Sequence, residues 1–152
     1  MNKQDIDVLK IFQTEDNRKI EEEFASMLSE DPNLRLFFIN ENQAYTDGKN
    51  IVVDPADDEL FCDYIALNKT EEFLGIPKSF SVDRFIALKM ITRAQNIHES
   101  LHIIYTNFPL DCLKDPRATT KFRQMILGSI SNIIEDSFIE AAGASEFDNM
   151  NL

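Results

Sequence analysis

The sequence predicts an α+β fold that is mainly helical and contains one small β-sheet. Long segments in which apolar residues recur at helical spacing predict the helices. Two short apolar runs bounded by turn residues predict the strands. An apolar share of 43% with 12 phenylalanines argues against disorder. The 152 residues suit a single domain, 1–152, built around one core.

The N-terminal third is predicted to contain one helix followed by two strands. The helix is indicated by apolar residues at helical spacing among glutamates, and Asp31-Pro32 ends it; these apolar residues are Ile20, Phe24, Met27 and Leu28. The run LRLFFIN, 34–40, is short and bulky enough for a buried strand. Asp47-Gly48 is a tight-turn signal, and the second strand, Ile51–Val53, is closed by Asp54-Pro55.

The rest of the chain is predicted to be helical. Residues 57–75 are expected to hold one or two short helices with inward-facing apolar residues: Leu60, Phe61, Tyr64, Ile65, Phe73 and Leu74. Ser81 or Ser79 is expected to cap a long helix that runs to about Thr106. A last helix is expected from Asp115-Pro116 to a stop at Gly143. Its apolar stripe comprises Phe122, Ile126, Ile130, Ile133, Ile134 and Phe138.

Charge and hydropathy exclude several classes of protein. The formal net charge of −12 and the pI near 4.5 disfavour nucleic acid as a partner, because phosphate binding needs a basic face. No apolar run approaches the ~20 residues of a membrane span, and the N-terminus lacks the apolar core of a signal peptide. We therefore expect no membrane partner and a cytoplasmic location. Cys62 and Cys112 are far apart and are expected to be reduced.

The residues that carry chemistry form an HESLH motif, His98-Glu99-Ser100-Leu101-His102, which contains both histidines of the chain. Residues four apart lie on the same face of a helix, so His98 and His102 can bind one zinc ion. Glu99 lies about a quarter-turn away, where it can act as general base. Zinc lowers the pKa of bound water to about 7. The motif predicts a Zn²⁺-dependent hydrolase, a metallopeptidase with a zincin-like fold whose sheet lies beside the HExxH helix.

A catalytic zinc site needs a third protein ligand, and the sequence predicts a carboxylate. The chain has no further histidine, so the third ligand is expected from the acidic cluster of the last helix. Glu135 is the first choice, which would make the protein gluzincin-like. Asp136 is the alternative ligand, or it orients a histidine by accepting its second ring N–H. Glu140 ranks third.

Three segments in this order resemble a known family: TDGKNIVVDP, AQNIHESLHIIYTNFP and SISNIIEDSFIE. They are similar to the metallopeptidase region found N-terminal to von Willebrand factor A-like domains in bacterial and phage proteins. The resemblance covers roughly residues 44–140. It implies that His98 and His102 bind the metal, that Glu99 is the base and that Glu135 is the third ligand, with Asp136 beside it. It also implies that the strand Ile51–Val53 lies beside the helix and offers an edge to an extended peptide.

The sequence leaves two functions open. In the first, the protein hydrolyses peptide bonds of a peptide or protein substrate, with Tyr45 as the oxyanion donor preferred over Tyr105. In the second, it is a non-catalytic, metal-stabilised interaction module that works with a von Willebrand A-like domain or a AAA+ ATPase. The D-x-S-x-S motif of a von Willebrand A domain is absent, so the chain is expected to be the N-terminal portion of a longer protein or a stand-alone relative. Glu99 favours catalysis, because a structural site needs no base between its ligands.

Overall fold

The computed structural model describes residues 3–56, 61, 64–106 and 119–147. This part of the chain is mostly helical with one three-stranded mixed sheet, which confirms the α+β prediction at that level. The elements in chain order are α1 Lys3–Phe12, α2 Glu15–Leu28, β1 Arg35–Phe38, β2 Tyr45–Thr46, β3 Asn50–Val53, α3 Tyr64–Phe73, α4 Arg84–Tyr105 and α5 Lys121–Glu146. Cys62, Cys112 and Asp115-Pro116 lie outside the described residues.

The sheet has the order β1-β3-β2, with β1 parallel and β2 antiparallel to β3. The turn between β2 and β3 contains Gly48 at a φ of 87°, a conformation that glycine adopts without strain. The strand Ile51–Val53 is confirmed, but the prediction that its edge pairs with a substrate is wrong. Ile51 and Val52 have strand partners on both sides, because β3 is the central strand.

Helix α1, which the sequence reading missed, contributes Leu9 and Phe12 to the main apolar cluster. These residues pack with Phe61 and with α4 residues Ala87, Leu88 and Ile91. A buried ion pair crosses the same region, since Arg84 Nε donates to Asp5 Oδ1 at 3.1 Å. Pairing is required there, because an isolated buried charge is costly.

Helix α4 is tied to α2 and to the sheet within the five residues before the HESLH motif. Arg93 donates twice to the buried Glu21 carboxylate, at 2.9 and 2.8 Å. Asn96 Nδ2 donates to the same side chain at 3.0 Å. At the end of β3, the Asp54 backbone N–H donates to Gln95 Oε1 at 3.0 Å. The sheet therefore contacts the helix that carries the motif.

The chain divides into two compact units, residues 1–100 and 101–152. The boundary falls inside α4, between Ser100 and Leu101. The first unit holds the sheet, α1 to α3 and most of α4. The second holds the last turn of α4 and the whole of α5. A single domain over 1–152 stays a prediction.

Several boundary and burial predictions are wrong. Asp83, not Ser79 or Ser81, caps α4, because its Oδ1 accepts from the backbone N–H groups of the next turn. Helix α5 begins at Lys121 after the cap Thr120 and continues past Gly143 to Glu146. Ile65, Phe73 and Leu74 of the α3 region are exposed rather than inward-facing.

Candidate metal centre

Both histidines of the HESLH motif lie on α4, one helical turn apart and partly buried. The residues between them are buried: Glu99, Ser100 and Leu101 are exposed by 5%, 0% and 2%. The middle residues of the motif therefore face the interior, whereas the two imidazoles are partly accessible to solvent. A partly open position suits a site that must be reached from solvent.

In the second unit, the two nitrogens of His102 have different neighbours. Nε2 lies 3.2 Å from Asp136 Oδ1. Nδ1 lies 3.4 Å from Thr106 Oγ1 and 3.7 Å from Glu135 Oε1. The Thr106 hydroxyl donates its hydrogen to Glu135 in a short hydrogen bond. In the tautomer that carries its proton on Nδ1, His102 donates to Thr106 Oγ1 and presents the Nε2 lone pair to Asp136.

The 3.2 Å between His102 Nε2 and Asp136 Oδ1 suits either an N–H···O hydrogen bond or a metal ion bound by both atoms. Two ligand atoms about 2.0–2.2 Å from a tetrahedral zinc ion are roughly 3.3–3.5 Å apart. The separation of His102 Nε2 and Asp136 Oδ1 is close to this value, so the pair fits a shared metal.

His98 completes a group of three. His98, His102 and Asp136 each offer one ligand atom, and these atoms lie within 4.8 Å of one another. His98 is presented by the same continuous helix as His102, four residues earlier, so its position follows from helix geometry. Two imidazoles and a carboxylate form a donor set that zinc accepts, with a fourth position left over.

The acidic cluster on α5 is arranged differently from the first choice made on sequence. Asp136 lies in the metal-capable group and accepts from Asn132 Nδ2 at 3.2 Å. Glu135 lies on the Nδ1 side of His102, with Thr106 as its donor. Glu140 is exposed. Of the apolar residues next to this cluster, Ile133, Ile134 and Phe138 are exposed and Ile139 is buried.

Helix α5 is held against the end of α4 by contacts that lie C-terminal to the acidic cluster. A Cβ added at Gly143 would lie 2.8 Å from Leu101 Cδ2, so glycine permits the two helices to approach closely. Tyr105 donates its hydroxyl to Glu146 Oε2 at 2.5 Å. This hydrogen bond raises the pKa of Tyr105 to about 12. Tyr105 is thereby engaged with the C-terminal end of α5.

Sequence reasoning missed Thr106, whose only signal is its position four residues after His102 on the same helix. Tyr45, the predicted oxyanion donor, lies on strand β2 with 49% of its surface exposed. Its role stays a prediction, as does that of Glu99.

Comparison with known proteins assigns neither a family nor a function to the chain. No protein-family model matches the chain, and no curated protein or solved structure matches it. Within the described ranges, no helix is long and apolar enough to cross a membrane. The case for a function therefore depends on the residues of the site.

Proposed function

We propose that the protein is a zinc-dependent metallopeptidase in which His98, His102 and Asp136 hold the ion and Glu99 is the general base. The observation that carries the proposal is the convergence of two histidine nitrogens and one carboxylate oxygen. An HExxH helix contributes two ligands and a base on one turn, which is the arrangement of zincin peptidases. The resemblance to the metallopeptidase region that precedes von Willebrand A-like domains supports the same assignment.

The proposal gives each carboxylate of the α5 cluster its own role. Asp136 is the third ligand, because its Oδ1 lies on the Nε2 side of His102. Glu135 is a positioning residue: with Thr106 it keeps the proton on His102 Nδ1 and leaves Nε2 for the metal. Asn132 orients Asp136 through the oxygen that does not face His102.

The chemistry is hydrolysis of a peptide bond. When bound, zinc supplies a Lewis acid for the carbonyl and lowers the pKa of a water molecule. Glu99 accepts the proton of the attacking water and delivers it to the leaving amine. This role explains why a carboxylate stands between two ligands, where a purely structural site would not need one.

The second candidate is a metal-stabilised interaction module without turnover, working with a von Willebrand A-like domain or a AAA+ ATPase. Two observations favour it. Glu99 is only 5% exposed, which restricts access to its carboxylate. Helix α5 also carries large apolar side chains on its surface, a common property of binding faces.

Metal analysis and one catalytic variant separate these candidates. Metal content is measured by plasma mass spectrometry on the native protein and on the His98→Ala, His102→Ala double variant. Cleavage is measured with a pool of fluorescence-quenched peptides for the native protein and Glu99→Gln. Glu72→Gln, an exposed glutamate on α3, is the matched control.

The peptidase predicts about one zinc per chain that the double variant loses. It also predicts cleavage that Glu99→Gln abolishes and Glu72→Gln retains. Zinc without cleavage of any peptide supports the interaction module. Iron instead of zinc, or no metal after zinc is offered, contradicts the proposal.

A further inference from the structure

Strand β1 is an outer strand of the described sheet, so one of its edges faces away from β3. On the side of β3, the Arg35 N–H donates to Lys49 O at 3.2 Å. On the same side, the Ile39 N–H donates to Val53 O at 3.0 Å. Backbone groups alternate in direction along a strand, so the N–H and C=O of Leu36 point to the outer edge. An open edge of this kind can pair with another strand.

Two side chains of α2 occupy both polar groups of this edge. Glu22 Oε2 accepts from the Leu36 N–H at 2.9 Å, and Arg18 Nη1 donates to Leu36 O at 2.8 Å. The two side chains are also joined to each other, with Arg18 Nη1 2.5 Å from Glu22 Oε2. Together they present one acceptor and one donor to a single residue of the strand, as the backbone of a neighbouring strand does.

Further contacts fix this pair in place. Arg18 donates twice to Glu15, at 2.8 and 2.7 Å, and Arg35 Nη1 donates to Glu22 Oε1 at 3.3 Å. Burial raises the pKa of the Glu22 carboxyl, but hydrogen bonds from the Leu36 N–H and from Arg18 outweigh it and leave this pKa below its ordinary value. Charged hydrogen bonds at a partly buried position are stronger than those of an exposed ion pair.

The covered strand has the composition of a segment that pairs with itself. Five of the seven residues in 34–40, LRLFFIN, are apolar, and Phe37 is 47% exposed. Short segments that combine bulky apolar residues with little charge pair readily with copies of themselves when their edge is open.

We propose that Arg18 and Glu22 form a latch that holds α2 over the β1 edge, and that the opened edge takes the β1 strand of a second copy. In an antiparallel pair, the outward N–H and C=O of Leu36 bond to the C=O and N–H of Leu36 in the other copy, which is a two-fold arrangement. The second strand then satisfies the two groups that the latch occupies. The latch and the strand belong to the first compact unit, and the inference is independent of metal binding and catalysis.

The latch variant is Arg18→Met with Glu22→Leu, which removes the donor and the acceptor and keeps residues that favour a helix. Lys19→Met with Glu23→Leu is the matched control, because these exposed residues of α2 have the same spacing and undergo the same changes of charge and polarity. Amide hydrogen exchange is followed by NMR. The Leu36 amide should exchange about 10-fold to 100-fold faster in the latch variant and at the native rate in the control.

The amides that donate towards β3 show whether the sheet stays intact. Exchange at Arg35 and Ile39 should be unchanged in the latch variant, since their acceptors are not altered. Loss of protection at these two residues would mean general unfolding rather than an opened edge. In that case Arg18→Met alone, which frees only the Leu36 carbonyl, replaces the latch variant, and roughly threefold tighter binding of the strand than in the native chain is expected.

The probe for the second strand is a fluorescent peptide of residues 34–40, and its binding is measured by anisotropy. A methyl group on the Phe37 nitrogen leaves the Leu36 edge of the peptide intact and prevents the peptide from pairing through its other edge. We expect this peptide to bind the latch variant at least about 10-fold more tightly than the native chain or the control. The same peptide methylated on the Leu36 nitrogen instead should not bind.

Three outcomes overturn the inference. Equal affinity of the native chain and the latch variant would show that the latch does not restrict access to the edge. Equal affinity of the control and the latch variant would attribute binding to the change of charge or polarity. A latch variant whose Leu36 amide exchanges fast but which does not bind the Phe37-methylated peptide would show that the opened edge does not take this strand.

Discussion

At the scale of single residues, His102 organises the candidate site through its two ring nitrogens. One nitrogen is directed at Asp136, and the other is held by Thr106 and Glu135. In a histidine that binds a metal through one ring nitrogen, the group hydrogen-bonded to the other nitrogen sets the tautomer. Such a group contributes to metal affinity without touching the ion. Two adjacent carboxylates can thus have different roles because they face opposite edges of one ring.

This difference predicts unequal effects of two conservative substitutions. Asp136→Asn removes the charged ligand atom and should weaken zinc binding by at least about 100-fold. Glu135→Gln keeps the ligands and weakens only the support of His102 Nδ1, so a loss of about 10-fold is expected. Competition with a chromophoric zinc chelator measures both constants. The reverse ranking would make Glu135 the ligand, as the sequence first indicated.

At the scale of elements, the contacts near His102 are made by the last turn of α4 and the C-terminal half of α5. Leu101 packs against Gly143, and Tyr105 pairs with Glu146, so the two contacts lie before and after His102 along α4. Because these contacts lie on consecutive turns, a disturbance at one of them is expected to reach the ligand pair. The Tyr105 hydrogen bond reports on this packing directly.

The raised pKa of Tyr105 predicts a late tyrosine titration. Its pKa of about 12 in the folded protein lies above the usual tyrosine pKa of 10.0. Folding therefore favours the neutral phenol. The resulting contribution to the free energy of unfolding is present below about pH 10 and is lost as the pH rises through 12. Phenolate absorbance should show one tyrosine ionising near pH 12, and Glu146→Gln should return it towards pH 10. An unchanged titration curve in that variant would show that the two side chains do not pair in solution.

At the scale of the whole molecule, the HESLH motif crosses the boundary between the two compact units. His98, Glu99 and Ser100 belong to residues 1–100, whereas Leu101 and His102 belong to residues 101–152. The proposed ligands His102 and Asp136 come from two different helices, α4 and α5. A bound ion is expected to stabilise the folded form, because an unfolded chain does not hold these ligands together.

Zinc should therefore raise the thermal stability of the native chain. At a free zinc concentration of about 100 times the dissociation constant, the free energy of unfolding should rise by about 2.7 kcal/mol. For a chain of this length the melting temperature should then increase by roughly 5–10 °C. Differential scanning calorimetry with and without a chelator measures the shift. The His98→Ala, His102→Ala double variant should show none, and an equal shift in that variant would place the bound zinc elsewhere.

The fold could be predicted in outline from local signals. The periodic apolar pattern indicated α2, α4 and α5, and the Asp47-Gly48 turn with Ile51–Val53 indicated the sheet. Periodicity identifies the face that is apolar, but it does not say what covers that face. The stripe of α5 was correctly read as helical, yet Ile133, Ile134 and Phe138 are exposed. Burial depends on contacts between distant segments, which one helix does not encode.

What the sequence by itself determined is the chemistry of the motif: two histidines and a glutamate on one helix, with a carboxylate cluster on another. Only the tertiary structure decided which carboxylate faces which nitrogen, since neighbouring residues on α5 point in directions about 100° apart. It also decided that β3 is the central strand, because strand order depends on pairing with β1, which precedes it by more than ten residues. Spacing along a helix is local, whereas the pairing of helices and strands is not.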